Sequence, residues 1–389
     1  MGTNSVGGRI AALRSVKGLT GEQLGHALGL TKSQVSKIES GVRKLDVSEI
    51  ALVADALGVT LAEVLGVERR GSLALAARVM TTSPGQDETA PARRRVRQVL
   101  EVEAALGDAV GLPAVGRSAA GTAVVEQVQA EGLAKVATVG CGTRLAGIVR
   151  ERLGLGRAPI GDLAALVERH FGMSAVTWPV GKVVSGLCAH GTDTAMMLIS
   201  SSFPVGHQRF TAAHELAHHL LADPREVIIE SDVFAASTPS ERRANSFAAG
   251  LLMPADGLRD VVNGRAIDDI VIAELMREFG VSYTALLHRL TDPAVKLIST
   301  AQRGAALQRT PTSVLRTAGD PSPAELTQPD ETRRVPPRLL SAAQHGYRSG
   351  KVGLGVLASL LDEDADLLYE RLAAEGITPP VVQDDMGDL

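Results

Sequence analysis

Between residues 209 and 221 the apolar positions Phe210, Ala213, Ala217, Leu220 and Leu221 recur at helical spacing, so Arg209 to Leu221 reads as a half-buried helix closed by Pro224. Just upstream the period changes. Ala175 to Val180, Val184 to Ala189 and Ala195 to Ser200 are short apolar or β-branched runs broken by Gly or Pro, the pattern of three strands. From Gly8 to Leu65 the spacing predicts four or five short helices, and Thr81 to Ala92 a polar linker. Arg93 to Leu106 reads as an amphipathic helix opened by three arginines, which contact either DNA backbone or solvent. Ile267 to Leu290 gives helix, Gly280, a Ser282 cap and a second helix. This is a helical hairpin or a second DNA-binding unit, and the scarcity of cations beyond His288 and Arg289 favours the hairpin. Gln308 to Arg334, rich in Thr, Pro and charge, reads as a flexible linker. Pro337 to Gly376 then forms a small helical unit around Leu339, Leu340, Leu357, Leu360, Leu361, Leu367, Leu368 and Leu372.

Composition narrows this without changing it. The 389 residues are 45% hydrophobic, enough for a core in each of two or three domains. All six Phe, Trp178 and Tyr283 fall between residues 171 and 283, which marks that window as the main core. A net charge of −4 means that any nucleic-acid contact must rest on a local patch. Cys141 and Cys188 have no paired spacing and read as reduced, packed thiols. With no apolar stretch of membrane-spanning length and no signal peptide, the expected location is the cytoplasm.

The helix from Arg209 carries His214, Glu215, Leu216, Ala217 and His218, an HExxH. Positions i and i+4 share a helix face, so both imidazoles can grip one metal ion with Glu215 beside them. The competing reading is a surface helix with two neighbouring histidines. A third ligand from a downstream histidine is excluded, since Leu221 and Pro224 stand where the metzincin pattern needs Gly and His. Glu241 is the best carboxylate, with Glu226, Glu230 and Asp232 as outside candidates. Yet Thr238, Pro239 and Glu241 also fit an N-cap, an N1 proline and the N3 glutamate of a capping box, so spacing leaves Glu241 with two roles. His207, Arg209, Tyr283 and His288 are candidate oxyanion donors, none assigned. His219 is rotated away from the ligand face.

Arg209 to Leu221 followed by Glu241 to Pro254 resembles the ImmA/IrrE family of bacterial metallopeptidases. The shared signature is Phe210, the HExxH, a glutamate four residues before Asn245, and Leu251, Leu252, Met253, Pro254. Val149 to Gly154, Ala158 to Ile160 and Val184 to Leu187 follow the family's order upstream. The resemblance implies His214, His218 and Glu241 as ligands of Zn2+ and Glu215 as general base in peptide hydrolysis. Arg243 departs from the second glutamate of many members.

In the N-terminal segment Gly21, Gly25, Gly29, Val35 and Ile38 fit a helix-turn-helix, with Thr31 capping a recognition helix from about Lys32 to Ser40. Gly25 permits close helix crossing and Gly29 the positive φ of the turn. Lys32, Ser33, Gln34, Ser36 and Lys37 are the exposed positions, followed by Arg43 and Lys44. They supply an amide that can read adenine and cations for phosphate. Only Glu39 is acidic between Lys32 and Lys44. The segment resembles the Cro/C1, XRE-type DNA-binding domain, with Val35 to Gly41 as its centre. Gly21 replaces a glutamine often found there.

The expected architecture is mostly α and multi-domain. A five-helix lambda-repressor-like domain at 7–67 is followed by a linker and helical connector at 71–139 and an α+β zincin-like metallopeptidase domain with a small sheet at 140–256. A helical extension at 257–306, a flexible linker at 307–335 and a helical C-terminal unit at 336–380 complete it. Three functions fit: a regulator that binds double-stranded operator DNA and, as the family resemblance implies, cleaves itself or a partner repressor, a regulator whose peptidase-like domain only senses or docks, and an antitoxin-like DNA-binding protein. Paired half-sites make a homodimer the natural DNA-bound form.

Overall fold

The computed structural model describes residues 6–43, 45, 47–57, 59, 64, 89–113, 115–190, 194–222 and 238–379. They divide into two units, Met1–Ser72 and Leu73–Leu389. In the first unit α1 (Val6–Val16), α2 (Gly21–Leu28), α3 (Lys32–Glu39) and α4 (Val47–Leu57) enclose Ile10, Leu24, Val35, Ile38, Val53 and Leu57. Val64 is helical and fully buried, and the rest of the expected fifth helix lies outside the described residues. Thr20 and Thr31 each form a capping box, with Gln23 and Gln34, which fixes where α2 and α3 begin. Gly29 ends α2 at φ 65°, and a Cβ on Gly25 would sit 2.5 Å from the carbonyl of Leu30. The short turn between α2 and α3 therefore needs glycine at both places.

The second unit begins with α5 (Ala90–Val110), α6 (Ala119–Ala130), a 3-10 turn at Leu133–Lys135, α7 (Val139–Arg152) and α8 (Leu163–Phe171). Strands β1 (Met173–Trp178), β2 (Gly186–His190) and β3 (Ala195–Ser200) form a sheet of order β1-β3-β2, with β1 parallel and β2 antiparallel to β3. After them come α9 (Val205–Leu221), α10 (Pro239–Leu252), α11 (Ala255–Val262), α12 (Asp269–Phe279) and α13 (Tyr283–Thr291). The chain continues through α14 (Thr300–Ala306), α15 (Pro311–Thr317), α16 (Pro323–Thr327), α17 (Pro337–Arg348), α18 (Leu354–Leu361) and α19 (Ala365–Ala374).

Alternation along the strands feeds two cores. Met173, Ala175, Ala195, Met197 and Ile199 join α7 to α10 in one. Val176, Trp178, Leu187, Met196 and Leu198 meet α5, α17 and α18 in the other. Every residue of β3 is buried, as expected of a central strand covered on both faces.

β3 lies where the sequence predicts it; the other two strands are displaced. β1 starts directly after Gly172, which ends α8 at φ 63°, and stops before Pro179, which has no N–H for a ladder. β2 begins at Gly186, two residues later than expected. The expected flexible linker at 307–335 is ordered instead. Thr310 caps α15, Pro311 and Pro323 open α15 and α16, and Val314, Leu315 and Leu326 enter the first core. Several of its charges are paired: Arg277 binds Asp320 and Glu325, and Arg334 binds Glu168 at 2.8 Å. Arg334 also exchanges backbone hydrogen bonds with Thr177 on the outer edge of β1.

The C-terminal helices likewise pack on the sheet. Of the arginine run in α5, Arg94 is exposed and Arg93 half-buried, as at a solvated helix end, whereas Arg95 turns inward. It is buried 3.6 Å from the Trp178 ring centre and donates to the carbonyls of Ser359 and Leu360 at the end of α18. In α13 Tyr283, Ala285, Leu286, Leu287, Arg289 and Leu290 are buried, which leaves no face for reading DNA and supports the hairpin. Among the described residues no helix is long and apolar enough to cross a membrane.

Candidate metal centre

Helix α9 is fixed before it offers any ligand. Its stripe of Phe210, Ala213, Ala217, Leu220 and Leu221 is buried, and Arg209 donates to the carbonyls of Ile160 and Gly161 at 2.5 and 2.6 Å. The helix begins four residues earlier than its apolar spacing predicts and ends at Ala222 with φ 50°. Pro224 lies outside the described residues, as do Glu226, Glu230 and Asp232. One turn apart, His214 and His218 bring their Nε2 atoms to 3.0 Å from each other.

Glu241 comes from α10, where its backbone serves the N-cap and its side chain turns to the two histidines. Its backbone N–H donates to Thr238 Oγ1 at 3.3 Å, behind Pro239, so the N-cap is present. Its side chain does not close a capping box; Oε2 lies 2.9 Å from His214 Nε2 and Oε1 3.3 Å from His218 Nε2. His214, His218 and Glu241 are 6, 9 and 3% exposed, so the three donor atoms converge in a nearly dry site. Burial pushes the Glu241 carboxyl upward, but the adjoining imidazoles outweigh it and hold it down at about 2.

Asn245, one turn along α10, places Oδ1 2.7 Å from His214 Nδ1. A proton on Nδ1 donated to that oxygen leaves the Nε2 lone pair facing the other donors. Ligand atoms held tetrahedrally at about 2.0–2.1 Å from an ion lie roughly 3.3 Å apart. The observed separations of 2.9–3.3 Å are of that size. Two imidazole nitrogens and a carboxylate oxygen thus form a donor set that suits a divalent metal ion.

Glu215 is half-buried beside this group. Strand β2 passes close to it: a Cβ on Gly186 would lie 2.5 Å from Thr211 Cγ2 and 3.4 Å from Glu215 Cγ. The thiol of Cys188 points at the Glu215 carbonyl at 3.7 Å. Among the oxyanion candidates, Arg209 holds carbonyls, Tyr283 donates to the Ala306 carbonyl at 2.7 Å, and His288 stands beside Arg303. His207 pairs with Ser185 at 3.2 Å and stacks on Phe203. Arg243, 2% exposed, donates to the carbonyls of Leu133, Ala134 and Val136, so it ties α10 to the 3-10 turn and not to the metal group. Sequence reasoning missed Asn245 as an orienting residue, although it stood in the signature, and missed Gly186 altogether.

In the first unit Lys32, Ser33, Gln34, Ser36 and Lys37 are all exposed on α3. Gln34 Oε1 accepts from the Thr31 N–H at 2.8 Å, so the cap uses its oxygen and not its NH2 donors. Arg43 pairs with Glu49 at 2.6 Å, and Lys44 lies outside the described residues. Glu39 is held by Arg14 through contacts of 2.5 and 3.1 Å, which neutralises the acidic group beside the basic positions.

Comparison with known proteins agrees with both units. Residues 177–291 match the IrrE N-terminal-like domain and residues 10–64 the helix-turn-helix family. A radiation response metalloprotease IrrE from Deinococcus deserti is 29% identical over 135 residues, which is 34% of this chain. The chain spans about half of that relative, 47% of its length.

Proposed function

We propose that this chain, which joins a helix-turn-helix domain to an IrrE N-terminal-like domain, is a transcription regulator that is also a zinc endopeptidase, directed at itself or at another DNA-bound repressor. One observation carries the reading: the donor atoms of His214, His218 and Glu241 converge beside Glu215, which has no part in holding them. Three protein ligands of this kind leave a fourth position for water or substrate, the arrangement of catalytic rather than structural zinc. A zinc ion there would polarise the scissile carbonyl and acidify water. Glu215 takes the proton of the attacking water and returns it to the leaving amine. Asn245 keeps His214 in the tautomer that leaves Nε2 available. A domain kept only for sensing or docking has no chemical need of Glu215.

On the DNA side, Lys32, Ser33, Gln34, Ser36 and Lys37 form the reading face, and Arg43 and Lys44 add charge at its end. Binding as a dimer to paired half-sites of an operator would place the peptidase near proteins bound to the same DNA. Cys141 and Cys188, as thiols, suit the reducing cytoplasm. The test is metal analysis of wild type and His214→Ala, followed by comparison of the proteins of cells carrying wild type or Glu215→Gln. Stoichiometric zinc in wild type and a repressor cut only in its presence are expected. Metal-free wild type, or the same cleavage with Glu215→Gln, refutes the enzyme.

A further inference from the structure

On the side of α9 opposite the metal ligands, a cavity of about 360 Å3 opens between that helix, the start of α8 and the sheet. Its floor is mostly apolar, Ala175, Met197, Ile199, Val205 and Ala212, with Thr177 and the Gln208 amide as its uncharged polar groups. Two charged side chains stand at its rim, Arg209 and Asp162. Arg150 and Arg243 are also held by backbone carbonyls, but they are sealed in at 6 and 2% exposure, whereas Arg209 is only half-buried and lines open space. The carbonyls of Ile160 and Gly161 fix the Arg209 guanidinium without neutralising it, and among the described residues no carboxylate pairs with it. Asp162 is exposed and uses Oδ1 to cap α8 at the Ala165 N–H, 2.9 Å away. The two charges sense each other: burial lowers the pKa of Arg209 and Asp162 works against that.

The mouth therefore offers one fixed cation and one anion above a mostly apolar floor. A simple anion meets Asp162, a simple cation meets Arg209, and a hydrocarbon would strip water from both without replacing it. A zwitterion with an apolar side chain meets all three demands. We propose that this cavity binds a free apolar α-amino acid, with its carboxylate on Arg209, its ammonium on Asp162 and its side chain on the floor. The volume stands near the lower end of the roughly 300–1,000 Å3 typical of small-molecule pockets, which suits a ligand of that size. Val205, Arg209 and Ala212 belong to α9, so an occupant braces the metal-bearing helix from behind. The site is independent of the peptidase reading, since binding is measured without turnover.

The experiment is calorimetric titration of the full-length protein with L-leucine and L-phenylalanine, and with three partial analogues of leucine. These are 4-methylpentanoate without the ammonium, isopentylamine without the carboxylate, and glycine without the apolar side chain. At least one of the two amino acids should bind about tenfold or more tighter than every analogue, a difference of roughly 1.4 kcal/mol. Asp162→Asn keeps the helix cap, because asparagine caps as well as aspartate. It should weaken the amino acid while strengthening 4-methylpentanoate. Arg209→Gln should weaken the amino acid and 4-methylpentanoate alike. The proposal is overturned if neither amino acid binds at millimolar concentration, if an analogue binds equally well, or if Asp162→Asn leaves the preference unchanged.

Discussion

Asn245 Oδ1 and His214 Nδ1 are 2.7 Å apart, and this one contact between α10 and α9 decides which nitrogen of His214 is available. Partners of this kind change metal affinity by about 10–100-fold when removed. Asn245→Ala should therefore weaken zinc binding by that factor while leaving the fold intact. Competition with a chromophoric chelator measures it, and an unchanged affinity would show that the tautomer is set elsewhere.

Gly186 makes a sharper demand on the same region. In Gly186→Ala the new Cβ lies 2.5 Å from the Thr211 methyl, so either Thr211 turns or β2 moves off α9. Overpacking of this kind costs about 1–3 kcal/mol. The variant should melt earlier, keep its metal and lose most of its cleavage. Full cleavage with a normal melting temperature would mean that the strand has room.

In α3 the cap and the reading function share Gln34, and one substitution separates them. Gln34→Glu preserves a capping box, since glutamate serves at N3 as glutamine does, but removes the NH2 donor. It should keep the helix, by circular dichroism, and change sequence preference in a binding selection. Lys37→Ala should instead weaken binding to all sequences and reduce the salt slope by about one ion. If both variants shift preference equally, the division of labour on α3 is wrong.

The segment from Thr310 to Arg334 gives a prediction in pH. Hydrogen bonding to Arg277 holds the Asp320 carboxyl below its ordinary value, against the upward push of its burial. A depressed pKa in the folded state contributes stability that is complete above the unfolded value of about 3.9 and is lost as pH falls through the folded one. Asp320→Asn should destabilise the protein at neutral pH and flatten the acid limb of its stability curve below about pH 4. Denaturant melts across that range test it, and parallel curves for the two proteins would remove Asp320 from the account. The same segment should resist proteolysis at 311–317, where a flexible linker would be cut early.

How much of this the chain discloses depends on which physical signal each residue sends. The α9 helix and β3 were legible because apolar spacing reports burial directly. Glu241 was legible only as two competing roles, because spacing does not distinguish a backbone N–H used in a cap from a carboxylate used elsewhere; in the fold they point different ways. Asn245 was visible as a letter of the signature without a reason. The strap at 307–335 was misread because composition counts charges and not their pairing: Asp320, Glu325 and Arg334 look solvated until Arg277 and Glu168 arrive from distant sequence. Likewise, three arginines at the start of α5 do not announce that the third lies on Trp178.

The double burial of β3 ties the far end of the chain to its chemistry. Met197 and Ile199 support the core that holds α9, while Met196 and Leu198, on the reverse of the same strand, are covered by α5 and the C-terminal helices. Removing α17 to α19 would wet the back of the strand on whose front the metal helix rests. For anyone trimming this protein, the last helices belong with the unit that holds His214, His218 and Glu241, and the division between the two units falls after Ser72.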